Sequence, residues 1–205
     1  RARGPVPLAT LGAAPLPLCG LGAATALPGV VYGATMPSYG EHIEGCGTLA
    51  KLPEDKTAVR KLTTRDPKQP ILSFEDPLCP ACKSLHDRLV SGGLYEKLEP
   101  TVSIFPLDSE CNWMVSRSLH PGACMLSRAF LCAEDGEGAR AVLEWSYANQ
   151  EELTKLGKDD QEGLKRRILG RFPDVSSCID DKATKKRLEA ALRYAVENKI
   201  RVSTP

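Results

Sequence analysis

Cys79-Pro80-Ala81-Cys82 is the one place in the chain where two thiols stand three residues apart. The run before it, Pro70 to Asp76 (PILSFED), is short and apolar and ends in two acids and Pro77, as a strand does before a turn. The motif therefore stands where a strand gives way to a helix. A thiol at a helix N-terminus meets unpaired backbone N–H groups and the positive end of the helix dipole, and both stabilise the thiolate. Cys82, one turn deeper, is placed to attack a mixed disulfide formed at Cys79. Pro80 suits the first helical position, where a missing N–H costs nothing. This placement predicts that Cys79 is the exposed, low-pKa thiol and Cys82 the buried one. Two rival readings exist. Zinc normally needs a second Cys pair or a His pair at similar spacing, and the other cysteines here are single. A purely structural disulfide across three residues of helix is geometrically strained.

Around the motif the nearest acids are Glu75 and Asp76, which either tune the proton balance of the thiols or are solvated acids at a strand end. His86, one turn beyond Cys82, reads as a surface helix residue rather than a catalyst. The chain has eight cysteines in all. Cys124 and Cys132 cannot bond to each other on one helix, because eight residues at 1.5 Å rise separate them by about 12 Å. Cys111, just before that helix, can fold back on Cys124, and Cys132 can then reach Cys178; free buried thiols at Cys132 and Cys178 are the alternative. Cys46 is left without an evident partner, and Cys19 reads as a small hydrophobe. Disulfides in this number fit an oxidising, extracytoplasmic compartment.

The elements that must position these groups follow from the pattern of apolar residues. Thr57 to Leu62 and Pro70 to Asp76 read as strands, Pro80 to about Leu98 as a helix interrupted near Gly92-Gly93, and Thr101 to Leu107 as a third strand. Strand, helix and strand make a βαβ unit, and hence an α/β fold with parallel strands. Beyond Asp108 the pattern is helical. One helix is expected from His120 as N-cap and Pro121 as first residue through Cys132. Others are expected over about 137–150, 161–171 and 181–198. The last of these places Leu188, Ala191, Leu192, Ala195 and Val196 on one face, with Lys182, Lys185, Lys186 and Arg187 as a solvated basic run. Ile200 to Ser203 turns β-like.

The chain's 205 residues are enough for one compact domain and an appendage. With 27 basic and 26 acidic residues it lacks the basic excess of a nucleic-acid binder, so no nucleic-acid partner is expected. A hydrophobic content of 42% excludes disorder throughout. The only charged side chains before Glu41 are Arg1 and Arg3. Residues 1–40 are thus either a membrane anchor, being apolar for longer than the roughly 20 residues a spanning helix needs, or an Ala/Pro/Gly-rich linker. Residues 41–56 read as a connecting segment and 57–205 as the folded domain.

SFEDPLCPACKSLHDRL, then a strand, a long helical stretch and a terminal VSTP, resembles the DsbA-type disulfide oxidoreductases of the thioredoxin superfamily over about Thr57 to Pro205. The resemblance implies a thioredoxin-like fold with a helical insertion at about 109–199 and Cys79 and Cys82 as the catalytic pair. It implies Thr204-Pro205 as the cis-proline site that faces the sulfurs and binds substrate. ECNWMVSRSLHPGAC, Glu110 to Cys124, also resembles a pattern in bacterial members, some of which follow the membrane helices of a vitamin K epoxide reductase-like protein. By the same resemblance the substrates are protein dithiols or disulfides. A membrane redox partner of vitamin K epoxide reductase-like or DsbB-like type is implied, as are a periplasmic location and neither organic cofactor nor metal. A non-enzymatic copper- or zinc-handling module on the same fold is the competing expectation. The sequence departs from the family in three ways. A hairpin and helix should follow the cis-proline, so the expectation is a fold truncated there. Ser73 stands where thioredoxin keeps a buried acid. Ala81 stands where strongly oxidising members carry His, which makes Pro80, Ala81 and Glu75 the residues expected to tune the redox properties.

Overall fold

A computed structural model describes residues 56–62, 70–95 and 97–200 of the chain. They form a mixed α/β arrangement of six α-helices and one three-stranded sheet. The strands are β1 (Arg60–Lys61), β2 (Pro70–Glu75) and β3 (Glu99–Ile104), in the spatial order β1-β3-β2. β2 and β3 run parallel, with Pro70 opposite Glu99 and Glu75 opposite Ile104, and β1 runs antiparallel to β3. The crossover between the parallel strands is α1 (Pro80–Ser91), so the expected βαβ unit is present. Among the described residues β2 pairs with β3 alone.

Several boundaries differ from expectation. The strand expected over Thr57 to Leu62 reduces to a 3₁₀ turn, Lys56–Ala58, and the two residues of β1. α1 stops at Ser91 rather than continuing to Leu98: Gly92 caps it, and Gly93 takes φ 62, a left-handed conformation that glycine adopts without a Cβ penalty. The third strand lies at Glu99–Ile104 instead of Thr101 to Leu107, because its partner β2 ends at Glu75 and the next N–H on that side, Leu107, donates to the Asp76 carboxylate at 2.6 Å.

α2 (Ala123–Cys132) is the centre of the helical part. Its sequence is apolar apart from Ser127 and Arg128, and Ala123 through Leu131 are all buried, Arg128 paired with Glu110. Around it pack α3 (Glu137–Ala148), α5 (Gln161–Arg171) and α6 (Lys182–Glu197). α6 also lies across β3 and the 56–58 turn and so joins the helices to the sheet. On α6, Leu188, Ala191, Leu192 and Ala195 are buried as expected, but Val196 is 44% exposed. Eight residues beyond Leu188 it has rotated about 80° off the stripe. Tyr194 is buried instead and packs against Phe74 of β2, ring centroids 5.6 Å apart. Lys182, Lys185 and Lys186 are solvated, while Arg187 is half-buried and donates to the Leu131 carbonyl at 2.6 Å.

Helix α4 (Gln150–Asp159) was not expected; the helix expected over 137–150 breaks at Asn149, and a new one starts at once. The start of α2 also differs. His120 is not its N-cap and Pro121 is not its first residue: the cap is Gly122 at φ 92, and the Asp108 carboxylate accepts from the Gly122 and Cys124 N–H groups at 2.9 and 3.2 Å. An acid from outside the helix therefore does the capping that His120 was assigned. This turn lies directly on α4, where a Cβ at Gly157 would meet the Pro121 carbonyl oxygen at 2.1 Å, so only glycine permits the approach.

Two disulfides, Cys111–Cys124 and Cys132–Cys178, adopt the pairing that the spacing allowed, and the free-thiol alternative for Cys132 and Cys178 does not hold. No helix among the described residues is long and apolar enough to cross a membrane. The apolar run 1–40, the segment 41–55 with Cys46, and the proposed substrate-facing pair Thr204 and Pro205 lie outside the described residues.

Candidate active site

β2 ends where its carboxylates begin. The Asp76 Oδ1 accepts from the Leu78 N–H at 2.7 Å, which closes a turn over Pro77, and the Asp76 carbonyl accepts from the Cys79 N–H at 3.1 Å. This turn delivers Cys79 as the N-cap of α1, with Pro80 and Ala81 exposed in the first turn. The Cys79 Sγ accepts from the Cys82 N–H at 3.4 Å, so the sulfur occupies the capping position that the sequence predicted. Gln150, the first residue of α4, fixes the same backbone by donating to the Cys79 carbonyl at 3.0 Å.

The two free thiols are strongly unlike. The Cys79 thiol is drawn down to about 7, chiefly by a hydrogen bond from Cys82 and further by the Cys82 N–H and by His120, against the opposing effects of burial and Asp76. Cys82 is pushed well above the usual thiol range by that same hydrogen bond, by burial and by the field of Glu75. The expected order of acidity therefore holds, but the expected order of exposure does not. Cys79 is only 6% exposed and Cys82 is half-buried. The turn around Asp76 and the Gln150 side chain close over Cys79, and a capping sulfur turns in toward its helix.

Glu75 and Asp76 are not solvated strand-end acids: their exposures are 9% and 2%. The Glu75 carboxyl accepts from the Ser73 hydroxyl at 2.5 Å and from the Tyr147 hydroxyl of α3. Ser73, standing where an acid was expected by resemblance, thus holds an acid that sits two residues further along the same face of the strand. Burial, the largest influence, raises the Glu75 pKa despite those two hydrogen bonds. Burial and Glu75 likewise push Tyr147 well above the ordinary phenol range, so its hydroxyl stays a donor. His86 is not a surface residue either. It is buried between the Tyr95 and Tyr147 rings, with its Nε2 3.3 Å from Glu144.

Glu75 offers a direct test of this burial. A carboxyl whose pKa is raised on folding adds stability below the unfolded glutamate pKa of about 4.3, and that stability is lost as pH rises toward the folded value. The loss amounts to about 1.4 kcal/mol per pH unit between the two pKa values. Glu75→Gln removes the titration, so urea denaturation should show the variant gaining on the wild type as pH rises from 4.5 to 7.5. Parallel stability curves over that range would mean that burial does not raise the Glu75 pKa.

Sequence reasoning missed three residues of this site: Tyr147, Gln150 and His120. The signal for His120 was present as a Leu-His-Pro-Gly turn before α2, but it was read as a helix start. Among the described residues one grouping of possible metal-ligand atoms occurs, at Asp108, Glu110 and Cys124. Its donors are committed elsewhere: Cys124 is in a disulfide, Asp108 caps α2, and Glu110 pairs with Arg128 at 2.9 Å. No protein-family model, curated protein or solved structure matches the chain.

Proposed function

We propose that this chain is a thiol-disulfide oxidoreductase of the DsbA type, built on a thioredoxin-like domain with a helical insertion. One observation carries the reading: a helix-capping Cys79 whose thiol is drawn down to about 7, hydrogen-bonded to a Cys82 held well above the usual range. Such a split gives one sulfur that attacks or leaves as thiolate at neutral pH and one that waits as thiol.

In the oxidising direction a substrate thiolate attacks the Cys79 sulfur of the Cys79–Cys82 disulfide. The bond between the two cysteines breaks, and Cys82 leaves with the electron pair and takes up a proton. Glu75, whose pKa burial raises, acts on Cys82 electrostatically and holds its thiol up. The substrate's second thiolate then attacks its own sulfur in the mixed disulfide and expels Cys79 as thiolate. The substrate dithiol has lost two electrons, and Cys79 and Cys82 have gained them. In the reducing direction Cys79 attacks a substrate disulfide and Cys82 resolves the intermediate. The substrates are proteins in an oxidising, periplasmic compartment, a setting that the Cys111–Cys124 and Cys132–Cys178 bridges support. A membrane disulfide donor of the vitamin K epoxide reductase-like or DsbB-like type would reset the pair.

Alkylation of the reduced protein by iodoacetamide across pH tests the assignment. Cys79 is expected to react first, with a midpoint near pH 7, while Cys82 stays unmodified through neutral pH. Mass mapping that found Cys82 alkylated ahead of Cys79 would reverse the roles and remove the basis of the proposal.

A further inference from the structure

Asp76 makes four hydrogen bonds, and three of them are explained by the backbone: Leu78 N–H to Oδ1 at 2.7 Å, Leu107 N–H to Oδ2 at 2.6 Å, and Cys79 N–H to its carbonyl at 3.1 Å. The fourth is to a side chain 44 residues away, His120, whose Nδ1 lies 2.8 Å from Asp76 Oδ2. With Nδ1 donating to a carboxylate, the ring is fixed in orientation and its Nε2 is left to face other groups. One residue, Asp76, therefore grips the backbone of the thiol at Cys79 and an imidazole at the same time.

His120 does not reach this place by chance of a mobile loop. Its own N–H and that of Leu119 both donate to the Leu107 carbonyl, at 3.1 and 2.9 Å, and its carbonyl accepts from Ala123 at 3.0 Å. The loop that carries it is closed by the Cys111–Cys124 disulfide. The same loop is held from inside by Asp108, which accepts from Ser118 at 2.7 Å and from the first turn of α2.

We propose that His120, fixed by Asp76 and by the disulfide-closed loop 111–124, is the positioning residue that sets the charge beside Cys79 and so stabilises its thiolate. The inference rests on the oxidoreductase reading of Cys79 and deepens it. The groups that face the pair are few. Cys79 lies in the fields of Asp76, His120 and Cys82, and His120 in those of Asp76, Cys79 and Asp108. Asp76 alone would disfavour the thiolate, and a charged His120 offsets part of that effect. Although burial opposes its charge, His120 is held above its ordinary pKa by the hydrogen bond and charge of Asp76 together with Cys79 and Asp108. The thiolate–imidazolium pair is therefore populated from just below neutral pH up to the point where His120 loses its proton.

Coupling between two titrating groups is reciprocal, and this provides a test that needs no change at His120. The His120 ring should be followed by NMR across pH in the reduced wild-type protein and in reduced Cys79→Ser. The titration midpoint is expected to be lower in Cys79→Ser, where no thiolate can form; equal midpoints would overturn the proposal. In His120→Asn, which keeps a donor for Asp76 but no charge, the pH profile of Cys79 alkylation should move up by about one unit, slowing the reaction at pH 6.5 roughly five- to tenfold. A folded His120→Asn protein with the wild-type profile would overturn it equally. The wild-type NMR comparison decides if the variant does not fold. The two readings fail separately: a missing His120–Cys79 coupling removes the role of His120 while wild-type exchange persists, whereas a wild-type protein that exchanges no disulfides removes the oxidoreductase reading whatever His120 does.

Discussion

Cys79→Ala is expected to reduce disulfide exchange with a dithiol peptide to the uncatalysed background, and reduced Cys82→Ala to accumulate a mixed disulfide at Cys79 when it attacks a disulfide-bonded peptide, whose second sulfur leaves as thiolate. The difference follows from where each sulfur acts. Every route through the proposed cycle forms a bond to Cys79, so without that sulfur there is no intermediate. In the reducing direction Cys82 acts on a disulfide already held at Cys79, as an intramolecular nucleophile whose effective concentration far exceeds that of any thiol in solution. Without it the intermediate forms and lacks its fast exit. Folding should survive both changes. The Cys79 sulfur accepts one capping hydrogen bond from Cys82 N–H, and loss of a helix cap costs about 1 kcal/mol, a fraction of the stability of a domain this size. Rates of peptide oxidation, with mass spectrometry of the trapped species, provide the measurement. A Cys79→Ala protein oxidising the peptide at the wild-type rate would end the oxidoreductase reading, since no other free thiol among the described residues caps a helix beside a second one.

What could be read in the sequence was local. A strand ending in acids and proline, followed by a capping residue and Pro80, specifies β2 and α1 within some twenty residues, and the parallel partner β3 follows from the crossover rule. Of the disulfides, helix geometry excluded only a Cys124–Cys132 bond, and free thiols at Cys132 and Cys178 stayed open beside the pairing that forms. The surroundings of the thiols were not legible in the same way. Tyr147 reaches Glu75 across 72 residues, Gln150 reaches Cys79 across 71, and His120 reaches Asp76 across 44. No period or propensity in any one segment encodes such contacts. His86 was read as a surface residue, and Glu75 and Asp76 were left open between tuning the thiols and lying in solvent, because their type favours exposure and partners that make burial tolerable, such as Tyr147 and His120, stand far away in the chain. α4 was missed because only Leu153 and Gly157 are buried along it, too few to mark a helical stripe. Its place is fixed by tertiary contact, Gly157 lying against the Pro121-Gly122 turn that carries His120.

That dependence of the site on distant segments makes the two disulfides separable by experiment. Cys132 ends the fully buried helix α2, and Cys178 follows the Pro173–Ser177 turn that leads into α6. Their bond closes 46 residues and fixes the entry of α6, where Thr184 lies 3.5 Å from the Cys132 sulfur and Arg187 donates to the Leu131 carbonyl. Opening a loop of that length releases chain entropy in the unfolded state worth about 4 kcal/mol, compared with about 3 kcal/mol for the 13-residue Cys111–Cys124 loop. Replacing Cys132 and Cys178 together by Ala is thus expected to lower unfolding free energy by about 4 kcal/mol in urea titrations. The apolar packing of α2 against α6 remains, so the variant should still fold, and nothing that touches Cys79 changes, so its alkylation midpoint should stay where it is in the wild type. Replacing Cys111 and Cys124 should cost less stability but loosen the loop that presents His120, and so raise the alkylation midpoint. A Cys132/Cys178 variant that lost less than about 1 kcal/mol would show that packing alone fixes α6 on α2 and that the bridge adds little to it.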